Sequence, residues 1–588
     1  MTETAAGIPR RALAQALWAS LACALAFTAF ACVATQNKLV RQGGPWRHDP
    51  YDLVVSLTIF LVPALAALIV ARGRLPSRDG RRPAGDWLDD PSGGGVTGVV
   101  RRHIRAIAAP GPGPSRRAPR TAVTAGALAM PVAAALRDEI WPVLGDGGQV
   151  ETAPQLAAIT ATGAVAGALV ALAGSSAFGA RPAGVRGVLR VLAALVVAVV
   201  TLGGAYVTLV AVRHTQPVAL PTPTGPHRVG RTAFEWTDHT RTDPLAPRPG
   251  GARQLSVWLW YPATPQAAGR PAPYAPGAWK YLHPDGLFGL GETSFDVIRT
   301  HAQERVPVAA GRFPVVVLEP GLGLAAPQYT ALAENLASNG YLVAGVTPTY
   351  SAGVTVLHGR PVRDTEAGNP HAFDSADPAA AARAGASLVA VWAADARFAA
   401  AQVIGLGRAG PFAGHVDPAR TAYLGHSLGG AAALEACRLD PRCAGAADLD
   451  GAPFGAREPN RPIMIIGSEN SCVTGACHPD DPMGRAERDM ARRLLAAGTA
   501  PVWCYEIGGT QHFNFSDYAA YYLAAPIRSL VPLGGIDGGL GLAITNAYLT
   551  AFLDHTVRGA DEPLLTGATS PYPQVRALHV GDTPAGRR

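Results

Sequence analysis

Two hydrophobic patterns divide the chain. Up to Val212 the apolar residues come in long unbroken runs: Ala12–Thr35, Leu53–Ala71, Thr121–Leu136, Pro154–Gly174 and Val188–Val212. Four of these hold about 19 to 25 residues, enough for an α-helix to cross a hydrocarbon layer about 30 Å thick. The third is shorter and contains Pro131, so it reads either as a crossing helix or as a re-entrant or interfacial segment. Beyond Thr232 the apolar runs are short and alternate with stretches of helical spacing. QLSVWLWYPA (254–263), PVVVLEPG (314–321), YLVAGVTP (341–348), TAYLGHS (421–427), AGAADLD (444–450), PIMIIGS (462–468) and PVWCYEI (501–507) predict strands. Helices are predicted over Gln328–Asn339, from Pro378 to Val403, and after Gly430. Strand and helix in alternation imply a mostly parallel sheet covered by helices on both faces.

Composition adds direction to the long runs. The chain has 588 residues, 48% of them hydrophobic, and a net charge of +7. The positive charge is concentrated, with eleven arginines between Arg72 and Arg120. Lys and Arg resist translocation, so this loop is expected on the cytoplasmic side. The loop Asp138–Ala153 has no Lys or Arg but four acids, and Ala180–Arg190 brings back Arg181, Arg186 and Arg190. Five crossings satisfy this alternation, and the chain after Val212 is then extracytoplasmic. If the third run does not cross, the large C-terminal part is cytoplasmic. Topology accounts for the basic residues, so no nucleic-acid partner is implied. The first run exceeds the usual core of a cleavable signal and reads as an uncleaved anchor. The expected protein is integral to the plasma membrane and multi-pass.

The resulting map has a membrane region of about five helices at 1–212 and a Pro-rich, stiff linker at 213–230. A catalytic domain follows at 231–559, then a loose tail at 560–588.

Chemistry enters at YLGHSLGGAAALEAC (423–437). Gly425, His426, Ser427, Leu428 and Gly429 fit G-x-S-x-G at a strand-to-helix turn, the nucleophile elbow of the α/β hydrolases. A serine hydroxyl needs a base and an orienting acid, which in this fold follow in the order Ser, acid, His. His512, in the loop GGTQHFNFSDY after the last predicted strand, is the best base; His478, His555 and His579 fit worse. Asp450 ends the strand after the elbow helix and is the leading acid. Asp448 lies two residues deeper, and Glu469, Asp480 and Asp481 after the next strand are rivals.

The C-terminal part resembles the secreted-type platelet-activating-factor acetylhydrolases, serine-dependent and calcium-independent α/β hydrolases also called lipoprotein-associated phospholipase A2. The resemblance covers nearly all of residues 225–555. It rests on GPHRVGRTAFEWTDHT, PVVVLEPGLG, LASNGYLVAGV, DPARTAYLGHSLGGA, CAGAADLDG and GGTQHFNFSD. It implies Ser427 as nucleophile, Asp450 as acid and His512 as base. It also implies an oxyanion hole made by the backbone amides of Leu322 and Leu428. Relatives carry His-Gly-Leu-Gly where this chain has Pro320-Gly321-Leu322-Gly323; the amide at Leu322 survives that change, although proline reshapes its surroundings. No metal or organic cofactor is implied, and the partners are a lipid or small ester substrate and the membrane.

Five cysteines lie beyond the membrane region. An exported domain favours disulfides, with 437–443 and 472–477 as candidate local pairs and Cys504 left over. Zinc bound by Cys472, Cys477 and His478 and a set of free buried thiols are the alternatives. The function expected is a membrane-anchored serine esterase acting on short or oxidised acyl groups of phospholipids or related lipids. An envelope acyltransferase using the same three side chains, or an inactive membrane sensor or scaffold, are the other readings.

Overall fold

The computed structural model describes residues 213–579 and Val210, apart from 267–268, 285–288, 290, 374–376, 456, 480, 529 and 567–569. The predicted membrane helices, save Val210, and Asp480 lie outside the described residues. The chain divides into units Met1–Arg213 and His214–Arg588, and the following concerns the second.

Strands form where β-branched and aromatic residues sit in short runs between turn residues. In chain order the sheet strands are β1 (Arg228–Thr242), β2 (Ala252–Ala263), β3 (Arg270–Pro271), β4 (Gln303–Glu304), β5 (Phe313–Glu319) and β6 (Leu342–Thr347). They continue with β7 (Val416–His426), β8 (Cys443–Leu449), β9 (Ile463–Ser468), β10 (Val502–Ile507) and β11 (Val575–His579). Together they build an eleven-stranded sheet in the order β11-β10-β9-β8-β7-β5-β6-β2-β1-β4-β3. From β10 to β6 the neighbours are parallel, whereas β2 runs antiparallel to β6 and β1, and β11 antiparallel to β10. This mixed sheet with its helices fits an α/β hydrolase.

Five longer helices cover the sheet: α1 (Thr330–Ser338), α2 (Pro378–Leu406), α3 (Leu428–Leu439), α4 (Pro482–Ala497) and α5 (Gly538–Arg558). Because side chains alternate along a strand, one strand serves two cores. Val316 and Leu318 of β5 share a core with Leu332 and Leu336 of α1 and with Leu542, Leu549 and Phe552 of α5. Val315 and Val317 share the other with Ala396, Ala400 and Val403 of α2, Leu434 of α3 and Leu494 of α4. Among the described residues α2 alone is long and apolar enough to cross a membrane. Its buried stripe, including Leu388, Trp392, Ala396 and Val403, packs against the domain core, so its hydropathy is that of a core helix.

Two stretches are more tightly held than their composition implies. In the linker at 213–230, Val218–Ala219 pairs with Ile298–Arg299, and the amides of Thr224 and Gly225 donate to Asn335 and Ser338 of α1. Proline-rich backbone is extended, and extended backbone can join a neighbouring strand or helix end. Within the tail at 560–588, Val575–His579 adds β11 to the sheet, covering what would be an exposed edge of β10.

An ion cluster ties β2 to α2. Arg253 is buried, with its guanidinium 2.6 Å from Asp395 and 3.1 Å from Asp243, and it donates to the carbonyl of Thr349 at 2.8 Å. Burial alone would lower its pKa, but Asp395 and Asp243 more than offset this and raise it. Asp395→Ala removes one partner and leaves a buried cation short of charge. The variant is expected to lose about 3–5 kcal/mol of stability by urea denaturation. Glu435→Ala, on the partly exposed pair with Arg438, is expected to lose less than about 1 kcal/mol.

Candidate active site

The parallel sheet delivers its strand ends to one edge, and β7 ends there in the turn that carries Ser427. Ser427 has φ 56° and ψ −127°, a left-handed conformation that is costly for a residue with a side chain. Its amide is fixed by donation to the carbonyl of Leu449 at 2.8 Å. The surrounding glycines are required by close approach. A Cβ on Gly425 would lie 2.2 Å from the carbonyl oxygen of Gly429, and one on Gly429 would lie 2.3 Å from that of Pro320. These contacts let α3 start directly against the strand ends, so the serine stands alone at the tip.

The structure brings Ser427, His512 and Asp450 together. His512 Nε2 is 3.0 Å from Ser427 Oγ, and its Nδ1 is 2.8 Å from Asp450 Oδ2. His512 opens a short 3-10 turn, His512–Phe515, just beyond β10, while Asp450 follows β8 with φ 54°. Asp450 is nearly enclosed, and its carboxylate accepts the amide of Ser468 at 2.8 Å and the Ser468 hydroxyl at 3.1 Å. Burial pushes the Asp450 pKa up. The hydrogen bond and charge of His512, with donors from Ser471 and Ser468, outweigh that and hold the carboxyl below its ordinary range. An anionic Asp450 fixes Nδ1–H toward itself and leaves Nε2 free to accept the serine proton.

Leu428 opens α3 immediately after the serine, and Gly321, one residue before Leu322, lies against it: a Cβ there would be 3.3 Å from Ser427 Cβ. The neighbouring amides of Gly321, Gly323 and Leu324 are all engaged, by the Tyr329 hydroxyl, the carbonyl of Ser351 and the carbonyl of Gly321. Those of Leu322 and Leu428 donate to no group among the described residues. The Leu322 and Leu428 side chains join an apolar wall with Tyr350, Phe373, Phe454 and Met490.

The rival residues are elsewhere engaged. Asp448 is buried, accepts the amide of Gly451 and has no contact with His512; burial raises its pKa. Glu469 accepts the amide of Gly509, Asp481 caps α4 through Gly484, and His555 bonds the carbonyl of Ala560. The structure pairs Cys437 with Cys443, closing α3 onto β8, and Cys472 with Cys477. The zinc alternative thereby loses its thiolates. Cys504 is a buried free thiol that burial pushes up to about 12. Ser468, Ser471 and Tyr329 escaped the sequence reading because serine and tyrosine at a strand end, in a loop or before a helix carry no spacing signal of their own.

No family model matches the chain. It is 26% identical over 390 residues to a probable 1-alkyl-2-acetylglycerophosphocholine esterase from Arthroderma benhamiae, covering 60% of this chain and 92% of that protein. It also superposes on a solved ferulic acid esterase from Streptomyces cinnamoneus, with a TM-score of 0.50 and 28% identity. That match covers 62% of this chain and 99% of the other. By these likenesses the chain is a carboxylic ester hydrolase. The resemblance to the platelet-activating-factor acetylhydrolases read from six sequence motifs agrees with the named relative.

The carboxylate of this hydrolase makes its stability depend on pH. A group whose pKa is lowered by folding stabilises the fold above its unfolded value, about pH 4, and that contribution is lost as the pH falls further. Asp450→Asn is therefore expected to flatten the acid limb of a plot of Tm against pH below about pH 4. An acid limb that overlays that of the parent would contradict the anionic assignment.

Proposed function

We propose that this chain is a membrane-anchored serine esterase that removes short or oxidised acyl groups from phospholipids or related lipid esters. The observation that carries the reading is the aligned pair of contacts from His512, 3.0 Å to Ser427 Oγ and 2.8 Å to Asp450. His512 Nε2 takes the hydroxyl proton as Oγ attacks the ester carbonyl. The C=O π bond opens, and the resulting oxyanion is held by the amides of Leu322 and Leu428. The imidazolium then gives its proton to the departing alcohol oxygen as the carbonyl re-forms and the C–O bond breaks. Water, activated by the same imidazole, cleaves the acyl-enzyme and restores the serine.

Several features support the substrate and the setting. The relative in Arthroderma is named for an acetylated ether phospholipid, and the wall of Tyr350, Phe373, Phe454 and Met490 beside the site is apolar. Two disulfides suit an oxidising, extracytoplasmic compartment. The arginine-rich loop at 72–120 suits a cytoplasmic one, which supports a topology with a membrane between the two. A tether to the bilayer would hold the site close to a lipid substrate at high effective concentration.

Ser427→Ala is expected to abolish labelling by a fluorophosphonate probe while leaving the melting temperature unchanged within a few degrees. Persistent labelling would refute the nucleophile. Turnover of esters graded from acetyl to long acyl, with a feruloyl ester included, reads the acyl range; the expected profile falls steeply beyond short chains. A reporter fused after Gly559 is expected to register as extracytoplasmic, and a cytoplasmic signal would mean that the third apolar run, with Pro131, does not cross.

A further inference from the structure

The residue between Gly425 and Ser427 in the elbow is a histidine, and the reaction just described does not use it. His426 does not touch the Ser427 hydroxyl; its ring turns beneath the site and packs 4.6 Å, centroid to centroid, from the ring of His512. Its Nε2 lies 2.8 Å from the backbone carbonyl oxygen of His512. Its Nδ1 lies 2.7 Å from the hydroxyl of Tyr329, and that hydroxyl oxygen in turn accepts the amide of Gly321 at 2.8 Å. His426 and Tyr329 are both completely buried, so water does not compete for the two bonds of the Tyr329 hydroxyl.

One placement of protons satisfies all three contacts. A carbonyl oxygen can only accept, so Nε2 of His426 carries its hydrogen and donates it. Nδ1 is then an acceptor in a neutral ring, and the Tyr329 O–H donates to it. The Tyr329 oxygen keeps a lone pair for the Gly321 amide. Burial and the nearby charge of His512 push His426 down to about 3, which keeps its ring neutral near neutral pH. The three bonds therefore form a directed chain from the oxyanion loop to the loop of the catalytic histidine.

We propose that His426 is a positioning residue. Through Tyr329 and the carbonyl of His512, it locks the Gly321–Leu322 oxyanion loop and the His512 loop into one register around Ser427. The inference rests on the serine-esterase reading above. Two further contacts fit it. Gly321 is pressed flush against the elbow, since a Cβ on it would lie 3.0 Å from His426 Nδ1. The backbone after Tyr329 is also pinned to the histidine loop, because Asp517 accepts the amides of Thr330 at 2.9 Å and Ala331 at 3.0 Å. An oxyanion donor and a general base on separate loops must keep their separation to within a fraction of an ångström, and a shift of about 1 Å can cost about 10²-fold in rate.

The test uses the full chain in detergent, p-nitrophenyl acetate hydrolysis for kcat and KM, and the rate of fluorophosphonate labelling. Tyr329→Phe keeps the ring and removes only the hydroxyl. It is expected to lower kcat about 10- to 100-fold with KM within about 3-fold, and to lower Tm by a few degrees because His426 Nδ1 and the Gly321 amide lose their buried partner. His426→Gln, whose amide can donate to the carbonyl and accept from tyrosine, is expected to stay within about 10-fold of the parent. His426→Ala is expected to fall at least as far as Tyr329→Phe, and the double variant Tyr329→Phe with His426→Ala no further than His426→Ala alone. A Tyr329→Phe enzyme at the parental rate, glutamine no better than alanine at 426, or multiplicative losses in the double variant would overturn the proposal. Labelling that depends on Ser427 but is unchanged in Tyr329→Phe removes the positioning role alone. Labelling that persists in Ser427→Ala removes the site reading and this role with it.

Discussion

The structure depends on one strained residue. Ser427 is held at φ 56° where β7 meets α3, a conformation that costs on the order of 1–3 kcal/mol and persists only where the surroundings leave no other choice. Three surroundings act together. Parallel pairing fixes the end of β7 between β5 and β8, the missing side chains at Gly425 and Gly429 allow strand and helix to touch, and the carbonyl of Leu449 holds the Ser427 amide. The same sheet edge then presents Asp450 one strand away and His512 beyond β10. Relaxing the elbow would move the hydroxyl away from a base that is itself fixed from behind.

The fixing from behind is a second layer of buried polar contacts. His512, helped by Ser471 and Ser468, holds the Asp450 carboxyl below its ordinary range despite its burial, and Asp517 ties the histidine loop to the start of α1. Each of these groups would be costly to bury alone, and each is paired. The Arg253, Asp395 and Asp243 cluster applies the same rule between β2 and α2. Where the apolar layers fix the fold, these pairs fix the distances on which proton transfer between side chains depends.

How much of this was legible in the sequence follows from what each residue signals. Buried parallel strands such as PVVVLE and PIMIIGS are continuous apolar runs, and the elbow motif sits between a strand and a helix, so both can be read locally. Asp450 is legible at the end of a strand and His512 in the loop after one, and the spacing alone left Asp448 and Glu469 as competitors. β1 was not readable as a strand because it is half exposed and its polar residues interrupt any apolar run. β11 was hidden for a related reason: its pairing to β10 is made by backbone groups, which the side chains of a Pro- and Gly-rich tail do not announce. Tyr329 and the orientation of His426 are set by tertiary packing across 97 residues of sequence, where no local pattern operates.

The central claim is that Ser427 carries the acyl group during turnover. Incubating the full chain with an acetylated phospholipid, quenching in acid within the first turnovers and mapping peptides by mass spectrometry tests it directly. The account predicts an acetyl group on the peptide from the elbow, at Ser427, disappearing as hydrolysis proceeds. Turnover with the acetyl group found on another residue, or with the Ser427 peptide never modified, would contradict it.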